Sequence, residues 1–266
     1  MNLIDINGVR LEVRRIPAPD GASSVAPLVF LHEGLGSVAM WRDWPDQLCT
    51  AIGRAGLVYS RQGYGQSDPV PDVRGEPAEH EGRRSGRLRP DYMHHEAWDV
   101  LPGLLAHLQI DEPVLVGHSD GGTIALLYAS RFPVAACIVM APHVMVEDIS
   151  VAAITQAREA FLTGGLRERL VRYHADVDGA FWQWNDIWLS DAFRAFDIHE
   201  DCRRITAPLL AIQGVDDPYG TMAQIEDIAL QAPQAVLERL AGCGHSPHRD
   251  QTEAVNAAIQ RFLAAM

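Results

Sequence analysis

The sequence predicts an α/β protein whose central sheet is mostly parallel. Short apolar runs alternate along the chain with longer amphipathic runs, and this alternation is typical of repeated βα units. Several of the short runs are nearly continuous in Val, Ile and Leu, as expected of strands that are buried on both faces. The 266 residues are enough for one sizeable core, and the sequence contains no internal repeat or low-complexity tract.

The apolar runs give the predicted elements in chain order. Seven strands are predicted, at Val9–Arg15, Leu28–His32, Gly56–Ser60, Val114–His118, Val134–Ala141, Leu209–Gln213 and Ala235–Leu240. Five helices are predicted, at Met40–Arg54, His94–Gln109, Gly121–Arg131, Thr221–Gln231 and Thr252–Ala265. The stretch Asp72–Pro90 is rich in charge, glycine and proline, which predicts an exposed loop.

A helical segment separates two of the predicted core strands. Residues 143–204 carry a helical pattern, so we predict a helical lid inserted between the core regions 1–142 and 205–266. Within this lid, the stretch FWQWNDIWLSDAFRAF holds six large aromatic residues, among them Trp182, Trp184 and Trp188. These side chains either pack the lid on the body or form an apolar roof over a substrate, because ligand sites are mostly apolar with a few polar groups.

The charge of the chain argues against a nucleic-acid or membrane partner. There are 22 basic and 35 acidic residues, which give a net charge of −13, whereas nucleic-acid binding needs a basic patch. No run approaches the about 18 apolar residues of a membrane-spanning helix, and the first residues lack the pattern of a signal peptide. The four cysteines form no CxxC pair, so we expect free thiols and a cytoplasmic location.

No metal or cofactor site is expected from the motifs. The adjacent His94 and His95 cannot share one helix face, and no HExxH spacing occurs. No GxGxxG follows a predicted strand and opens a helix, as dinucleotide binding requires. We therefore expect a small-molecule substrate and no cofactor, and we allow for a homodimer.

The strongest motif lies in LVGHSDGGTIALLYAS, residues 115–130. It contains G-x-S-x-G, with Ser119 between Gly117 and Gly121, directly after a predicted buried strand and directly before a predicted helix. A nucleophile on such a sharp turn needs small residues two positions away on either side. The turn exposes the hydroxyl and aims helix N-terminal amides at it, so the amide of Asp120 is the expected first donor of an oxyanion hole.

This motif in this context resembles the α/β-hydrolase superfamily, in its lid-bearing branch of esterases, lactonases and carbon–carbon bond hydrolases. The resemblance runs from about residue 9 to the C-terminus and implies the chain order Ser, then Asp or Glu, then His. The turn in LLAIQGVDDPYGT resembles the family's G-x-x-D turn and implies Asp217 as the acid, with Asp216 as the competing choice. The loop in LAGCGHSPHRDQ resembles the family's G-x-G-H loop and implies His245 as the base, while His248 is expected at the surface or behind the site.

The loop LHEGLGSVAMW resembles the family's His-Gly loop, with Glu33 where glycine is usual. By this resemblance, Gly34 supplies the second oxyanion amide, and Leu35 is the alternative. Glu33 is either a solvated loop residue or points into the site, where it would tune the base or discriminate between substrates. The stretch SRQGYGQSDP resembles a structural turn of the family, from which Arg61 could reach the cleft.

Asp120 is unusual because it follows the predicted nucleophile directly. Its carboxylate either points outward and caps the following helix, where an acidic residue is favoured, or lies near the developing oxyanion. In the second case the charge must turn away or be paired, since it disfavours further negative charge nearby.

Together these residues predict a serine hydrolase that acts on an ester or similar acyl bond of a small apolar or aromatic substrate. Ser119 would attack, His245 would take and return the proton, and Asp217 would orient the imidazole. The expected substrate contacts are Leu35, Glu33, Trp182, Trp184 and Trp188.

Three other functions remain open on the sequence. A carbon–carbon bond hydrolase would use the same triad, with Arg61, Arg158 or Arg172 available for a substrate carboxylate. A lactonase would also use this triad. A non-catalytic binding module of the same fold is the alternative from another class, although such proteins usually lose a triad member.

Overall fold

The computed structural model describes residues 2–19, 25–80 and 83–266. The strands in these ranges are β1 (Asn2–Ile6), β2 (Val9–Ile16), β3 (Leu28–Leu31), β4 (Gly56–Ser60), β5 (Ala78–His80), β6 (Arg83–Ser85), β7 (Val114–His118), β8 (Ala136–Met140), β9 (Leu209–Gly214) and β10 (Val236–Leu240). The α-helices are α1 (Trp44–Ile52), α2 (Tyr92–His95), α3 (Leu101–His107), α4 (Asp120–Ala129), α5 (Asp148–Leu162), α6 (Leu166–Leu170), α7 (Val177–Trp188), α8 (His199–Cys202), α9 (Ala223–Gln231), α10 (Pro247–Asp250) and α11 (Thr252–Ala264).

Eight of the strands form one sheet in the order β1-β2-β4-β3-β7-β8-β9-β10. From β4 to β10, every neighbouring pair in this order is parallel, while the β1–β2 and β2–β4 pairs are antiparallel. The predicted α/β class and mostly parallel sheet are therefore confirmed. Parallel strands bring their carboxyl ends to one edge, and the candidate site lies at that edge.

The core lies on both faces of this sheet. Along β3, Phe30 packs toward α1 and α11, whereas Val29 packs toward the face that carries α3 and α4. The same alternation holds along β7, because successive side chains of a strand point to opposite faces. Both faces are apolar, which explains why the strands appear in the sequence as continuous Val, Ile and Leu runs.

The first strand was not among the predicted elements. β1 pairs with β2 through a tight turn in which Asn7 and Gly8 both have positive φ, at 52° and 79°. Asn-Gly is a typical hairpin turn of this kind, so the sequence did contain the signal. The weak apolar alternation of NLIDI hid it, because this strand lies at the edge of the sheet and most of its side chains are at least partly exposed.

Two further predictions needed correction. The predicted loop Asp72–Pro90 contains the β5–β6 hairpin, while residues 81 and 82 lie outside the described ranges. The single helix predicted at His94–Gln109 is instead α2, a π-helical turn at Glu96–Val100, and α3. Pro102 sits in the first turn of α3 and has no N–H to donate, so the hydrogen-bond ladder is interrupted there.

The segment between β8 and β9 is helical and closes on itself at its base. It contains α5, α6, α7, a 3₁₀ turn at Asp191–Ala195, and α8. Met145 and Asp197 form an isolated bridge, and the amide of Ile198 donates to the carbonyl of Val144. These contacts join the two ends of the segment, and a separate lid over the site stays a prediction. Within the described ranges, none of the helices combines the length and apolar character needed to cross a membrane.

Candidate active site

Ser119 stands on a strained turn between β7 and α4. Its φ of 53° and ψ of −120° are a conformation that non-glycine residues rarely adopt. The turn is tight enough that a Cβ at Gly121 would collide with the backbone carbonyl of Leu31, and one at Gly117 would collide with the carbonyl of Gly121. Both glycines of the motif are therefore required by backbone packing.

The structure brings Ser119, His245 and Asp217 into one hydrogen-bonded line. His245 Nε2 lies 3.0 Å from Ser119 Oγ, and His245 Nδ1 lies 2.8 and 2.9 Å from the two carboxylate oxygens of Asp217. Asp217 also accepts from the Tyr219 amide at 2.7 Å and from Gln213 Nε2 at 2.8 Å. Burial raises the pKa of Asp217, but the hydrogen bond with His245, together with the one from the Tyr219 amide, outweighs that effect and holds the pKa below its ordinary value. An ionised Asp217 places the imidazole proton on Nδ1 and leaves Nε2 to accept from the serine hydroxyl.

The competing acid, Asp216, lies away from the base. Its side chain is exposed, and its amide donates to the carbonyl of Cys243 at 3.0 Å. The two aspartates are neighbours on one turn, so their side chains point in different directions, and Asp217 is the one that faces His245.

Rings enclose the imidazole of His245 on several sides. The ring of Tyr219 lies 4.6 Å from it, that of His118 lies 5.2 Å away, and that of His143 lies 5.8 Å away, between centroids. Burial lowers the pKa of His143 to about 3, so this ring is neutral and acts as part of an apolar wall. His143 was not singled out in the sequence, where it is one of eleven histidines without a motif.

Glu33 is neither solvated nor directed at the oxyanion position. Its Oε2 lies 3.4 Å from His118 Nδ1, and its Oε1 lies 3.8 Å from Arg249 Nη2. His118 Nε2 in turn donates to the backbone carbonyl of His245 at 2.6 Å. Burial raises the pKa of Glu33, yet its hydrogen bond with His118 and the charges around it hold the pKa well below its ordinary value. Glu33 therefore supports the loop that carries the base.

His248 is not a surface residue. Its ring is 1% exposed and packs about equally close to Trp41, Trp44 and His118, at 4.9 to 5.0 Å between centroids. Burial, followed by the nearby charge of His118, lowers its pKa well below the ordinary value. It belongs to the packed layer behind the site.

The loop after β3 holds the predicted second oxyanion donor, Gly34. The carbonyl of Glu33 accepts from His32 Nδ1 at 2.7 Å, from the Gly36 amide at 3.0 Å and from Arg61 Nη2 at 3.0 Å. Because a trans peptide points its N–H opposite to its C=O, the Gly34 amide faces away from these three donors. Within the described ranges, the amides of Gly34 and Asp120 have no acceptor. The carbonyl of Leu35, the alternative donor residue, accepts from His174 Nε2 at 3.0 Å.

The side chain of Asp120 is buried and does not cap the following helix. It is 1% exposed, and its Oδ2 accepts from the Tyr92 hydroxyl at 2.7 Å. Arg61 Nη1 lies 3.5 Å from the same oxygen, and Trp188 Nε1 donates to the Tyr92 hydroxyl at 3.1 Å. The outward interpretation is therefore wrong, because the neighbours of Asp120 supply a cation and a donor that an exposed helix cap would not have. Tyr92 carries no sequence signal that could have identified it.

The three lid tryptophans occupy different places. Trp188 reaches the Asp120 network through Tyr92, and Trp184 covers the oxyanion loop so closely that a Cβ at Gly34 would collide with its indole nitrogen. Trp182 instead packs against Phe161, Phe181 and the guanidinium of Arg74, which lies 4.3 Å from its ring centroid. The contacts of Trp182 thus lie with α5, α7 and Arg74, away from the oxyanion loop, and contact of the three tryptophans with substrate stays a prediction.

A cavity of about 430 Å³ adjoins the site. Arg61, Tyr64 and Tyr92 are part of its lining, together with Gln183 of α7, whereas the three triad residues are not. In the part of the chain that the structure describes, no three His, Cys, Asp or Glu side chains are grouped closely enough to hold a metal ion.

Comparison with known proteins identifies the family of the chain. The model of the alpha/beta hydrolase family matches residues 28–258. The chain belongs to the α/β hydrolase family. The match includes the elbow, the acid turn and the histidine loop, so the resemblance noted from the motifs is confirmed.

Individual α/β hydrolases show how widely the chemistry varies on this fold. The chain is 29% identical to Esterase YbfF of Escherichia coli over 174 residues, which cover 58% of this chain and 68% of that protein. It is 24% identical to the mouse sn-1-specific diacylglycerol lipase ABHD11, over 92% of this chain and 83% of the lipase. The crystal structure of an enol-lactonase from Burkholderia xenovorans superposes with a TM-score of 0.73 at 19% identity, over 99% of this chain and 100% of the lactonase. At that identity the likeness establishes the fold alone.

Proposed function

We propose that this α/β hydrolase is a serine hydrolase that cleaves an ester or similar acyl bond through a covalent acyl-enzyme. The observation that carries the proposal is the line from Ser119 Oγ to His245 Nε2 at 3.0 Å and from His245 Nδ1 to both oxygens of Asp217. A serine hydroxyl becomes a useful nucleophile only when a neighbouring base takes its proton, and this arrangement supplies that base. An esterase and a lipase among the relatives support the same reaction class.

The reaction follows from the geometry. His245 takes the hydroxyl proton as Ser119 Oγ attacks the acyl carbon, and then delivers that proton to the leaving group. Water repeats the sequence on the acyl-enzyme and releases the acid. Asp217 stabilises the imidazolium that forms in each half, and the amides of Asp120 and Gly34 are the proposed donors to the oxyanion.

A small apolar or aromatic substrate fits the surroundings of the triad. Trp184, Trp188 and the neutral His143 contribute ring surface near Ser119 and its oxyanion loop. Substrates of this kind gain most of their binding free energy from burial of apolar area. The four buried free cysteines are compatible with a reducing, cytoplasmic compartment, which we retain as part of the proposal.

Two of the three arginines considered for a substrate carboxylate are engaged elsewhere. Arg158 donates to Asn185 and Asp186 within the helical segment, and Arg172 is exposed over the ring of Tyr173. Arg61 donates to the Glu33 carbonyl and also lines the cavity beside the site. The substrate panel therefore includes a carboxylate-bearing compound beside the uncharged esters.

The test combines labelling with a substrate panel. A fluorophosphonate probe should label the wild-type protein at Ser119, and Ser119→Ala should lose both the label and about 10⁶-fold in kcat while remaining folded. The panel consists of p-nitrophenyl esters of several chain lengths, lactones and a vinylogous diketone acid. Turnover of the last compound alone would overturn the ester assignment, and absence of labelling would favour a non-catalytic binding module.

A further inference from the structure

Arg61 is buried between the two segments that carry the proposed oxyanion donors. It directly follows β4, and it is 4% exposed. Its Nη2 donates to the carbonyl of Glu33 at 3.0 Å, and its Nη1 lies 3.5 Å from Oδ2 of Asp120. One guanidinium therefore contacts the segment on each side of the oxyanion position.

On the first side, Arg61 fixes the orientation of the peptide that joins Glu33 to Gly34. The guanidinium supplies the charged donor to the Glu33 carbonyl, and charge-assisted hydrogen bonds are roughly twice as strong as neutral ones. The backbone amide of Arg61 also donates to His32 Nε2 at 3.1 Å, so main chain and side chain hold the same loop. Because the peptide is planar, holding this carbonyl also holds the Gly34 N–H in the opposite direction.

On the second side, Arg61 offsets the charge of Asp120. A carboxylate beside the nucleophile opposes the negative charge that develops on the substrate oxygen. Burial raises the pKa of Asp120, and the nearby guanidinium acts in the opposite direction. The Tyr92 hydroxyl holds the same carboxylate oxygen at 2.7 Å, and Asp120 is thereby fixed at the first turn of α4.

We propose that Arg61 is a positioning residue that aligns both oxyanion amides, through the Glu33 carbonyl on one side and the Asp120 carboxylate on the other. This inference rests on the proposed function, because it assigns Arg61 to the same acyl-transfer step. Arg61 contacts neither Ser119 nor His245 in the described structure, so it acts through the two backbone segments. A guanidinium can serve two partners with its planar set of donors, whereas a lysine presents one flexible point charge.

The first measurement separates kcat from KM. With p-nitrophenyl butyrate as substrate, Arg61→Lys and Arg61→Met are expected to lose about 100- to 1,000-fold in kcat, the loss typical of an oxyanion donor. KM should change by less than about threefold, because the hydrogen bonds from the two amides to the oxyanion form only in the transition state. The affinity for an alkyl boronic acid, which forms a tetrahedral adduct with serine, should fall by the same factor as kcat.

The second measurement is chemical rescue. Guanidinium ion added to Arg61→Ala should restore kcat at least about tenfold, because the free ion can occupy the vacated position and charge-assist the same two partners. Arg54→Met is the matched control, since Arg54 donates to the Ala26 carbonyl near the opposite end of β4. This variant should keep wild-type kcat and show no response to guanidinium.

A third variant distinguishes a loss of activity from a loss of folding. Removal of Arg61 alone leaves the buried Asp120 without its cation, which can be strongly destabilising. The double variant Arg61→Met with Asp120→Asn removes both charges, and it should fold by circular dichroism. Its kcat should stay at least about tenfold below wild type, because the Glu33 carbonyl still lacks its charged donor. Retention of kcat within about threefold in the folded Arg61 variants would overturn the proposal, as would a loss without rescue and with unchanged boronate affinity. Ser119→Ala tests the proposed function separately, because activity in that variant contradicts the acyl-enzyme whatever Arg61 does.

Discussion

In the half of the proposed active site that holds the proposed triad, here called the triad half, Ser119, Asp217 and His245 follow the ends of β7, β9 and β10 by one, three and five residues. Each lies in a short loop after a parallel strand, and each loop has a recognisable local pattern. The strands β7 and β9 are buried, whereas β10 is mostly half-buried or exposed. In the proposed oxyanion half, the loop from His32 to Gly36 is instead contacted by Arg61, by Trp184 of α7 and by His174. The triad half is therefore specified by local motifs, and the oxyanion half depends on distant parts of the chain.

The difference concerns where a change can act. A substitution in the triad half removes a reacting group or the backbone that presents it. In the oxyanion half the proposed donors are backbone amides, which a side-chain substitution cannot remove. A substitution there acts only through the hydrogen bonds and packing that hold those amides in place. We therefore expect large losses of activity from the first half and graded, condition-dependent changes from the second.

After the loss expected for Ser119→Ala, the largest effect is expected for the proposed acid of the triad. Asp217→Asn should lower kcat about 10⁴-fold, because an amide favours the wrong imidazole tautomer. Asp216→Asn is the matched control on the same turn, and it should keep kcat within a few-fold of wild type because its side chain is exposed. Steady-state kinetics of the two variants with one p-nitrophenyl ester decides the comparison, and equal losses would contradict the triad geometry.

The next effect concerns the backbone of the elbow. In Gly121→Ala, the new Cβ meets the carbonyl oxygen of Leu31, so the turn must shift. We expect a loss of about 3 kcal/mol in the free energy of unfolding, as for overpacked interiors, and a loss of about 100-fold or more in kcat from misplacement of Ser119. Gly122→Ala is the control, because its Cβ would lie 3.2 Å from Pro142 Cβ, a contact that a small shift relieves. Urea unfolding would contradict the prediction if both variants were equally stable.

A smaller loss of activity is expected when the packing of the helical segment on the oxyanion loop is removed. Trp184→Ala removes the indole that covers Gly34, so the loop gains freedom and water. We expect kcat/KM to fall about 10- to 100-fold, the range for a small displacement of reacting groups. Trp182→Ala, two residues earlier on α7 and packed against Arg74, should leave kcat/KM nearly unchanged. If the order of the two losses were reversed, the assignment of Trp184 to the oxyanion loop would be wrong.

The smallest expected effect is the contribution of Asp120 to the pH dependence of the free energy of unfolding. Burial raises the pKa of this carboxyl above its ordinary value of 3.8, so the folded state binds the proton more tightly than the unfolded state. Stability from this group is therefore greatest at acid pH and is lost as pH rises through the folded pKa. The free energy of unfolding of wild type minus that of Asp120→Asn should fall as pH is raised from about 4. A difference that rises with pH would contradict the direction of the shift.

The sequence by itself determined the α/β class, the positions of the core strands along the chain and the turns that carry Ser119 and His245. These features depend on periodicity and on short turns, in which every residue required is a near neighbour of the others. Two local signals were present but were not used in the prediction. Asn7-Gly8 is typical of a hairpin turn, and Pro102 interrupts a helix, but the apolar pattern around each was given more weight.

Only the tertiary structure decided which aspartate faces the base, and what the two carboxylates beside the oxyanion position do. Glu33 meets His118, which lies 85 residues further along the chain, and Asp120 meets Tyr92, whose hydroxyl is held by Trp188 from 96 residues away. Charge and burial at these positions depend on partners that no local pattern specifies. A carboxylate can therefore be buried beside the site, because hydrogen-bond donors and cations from distant parts of the chain offset the free-energy cost of burying its charge.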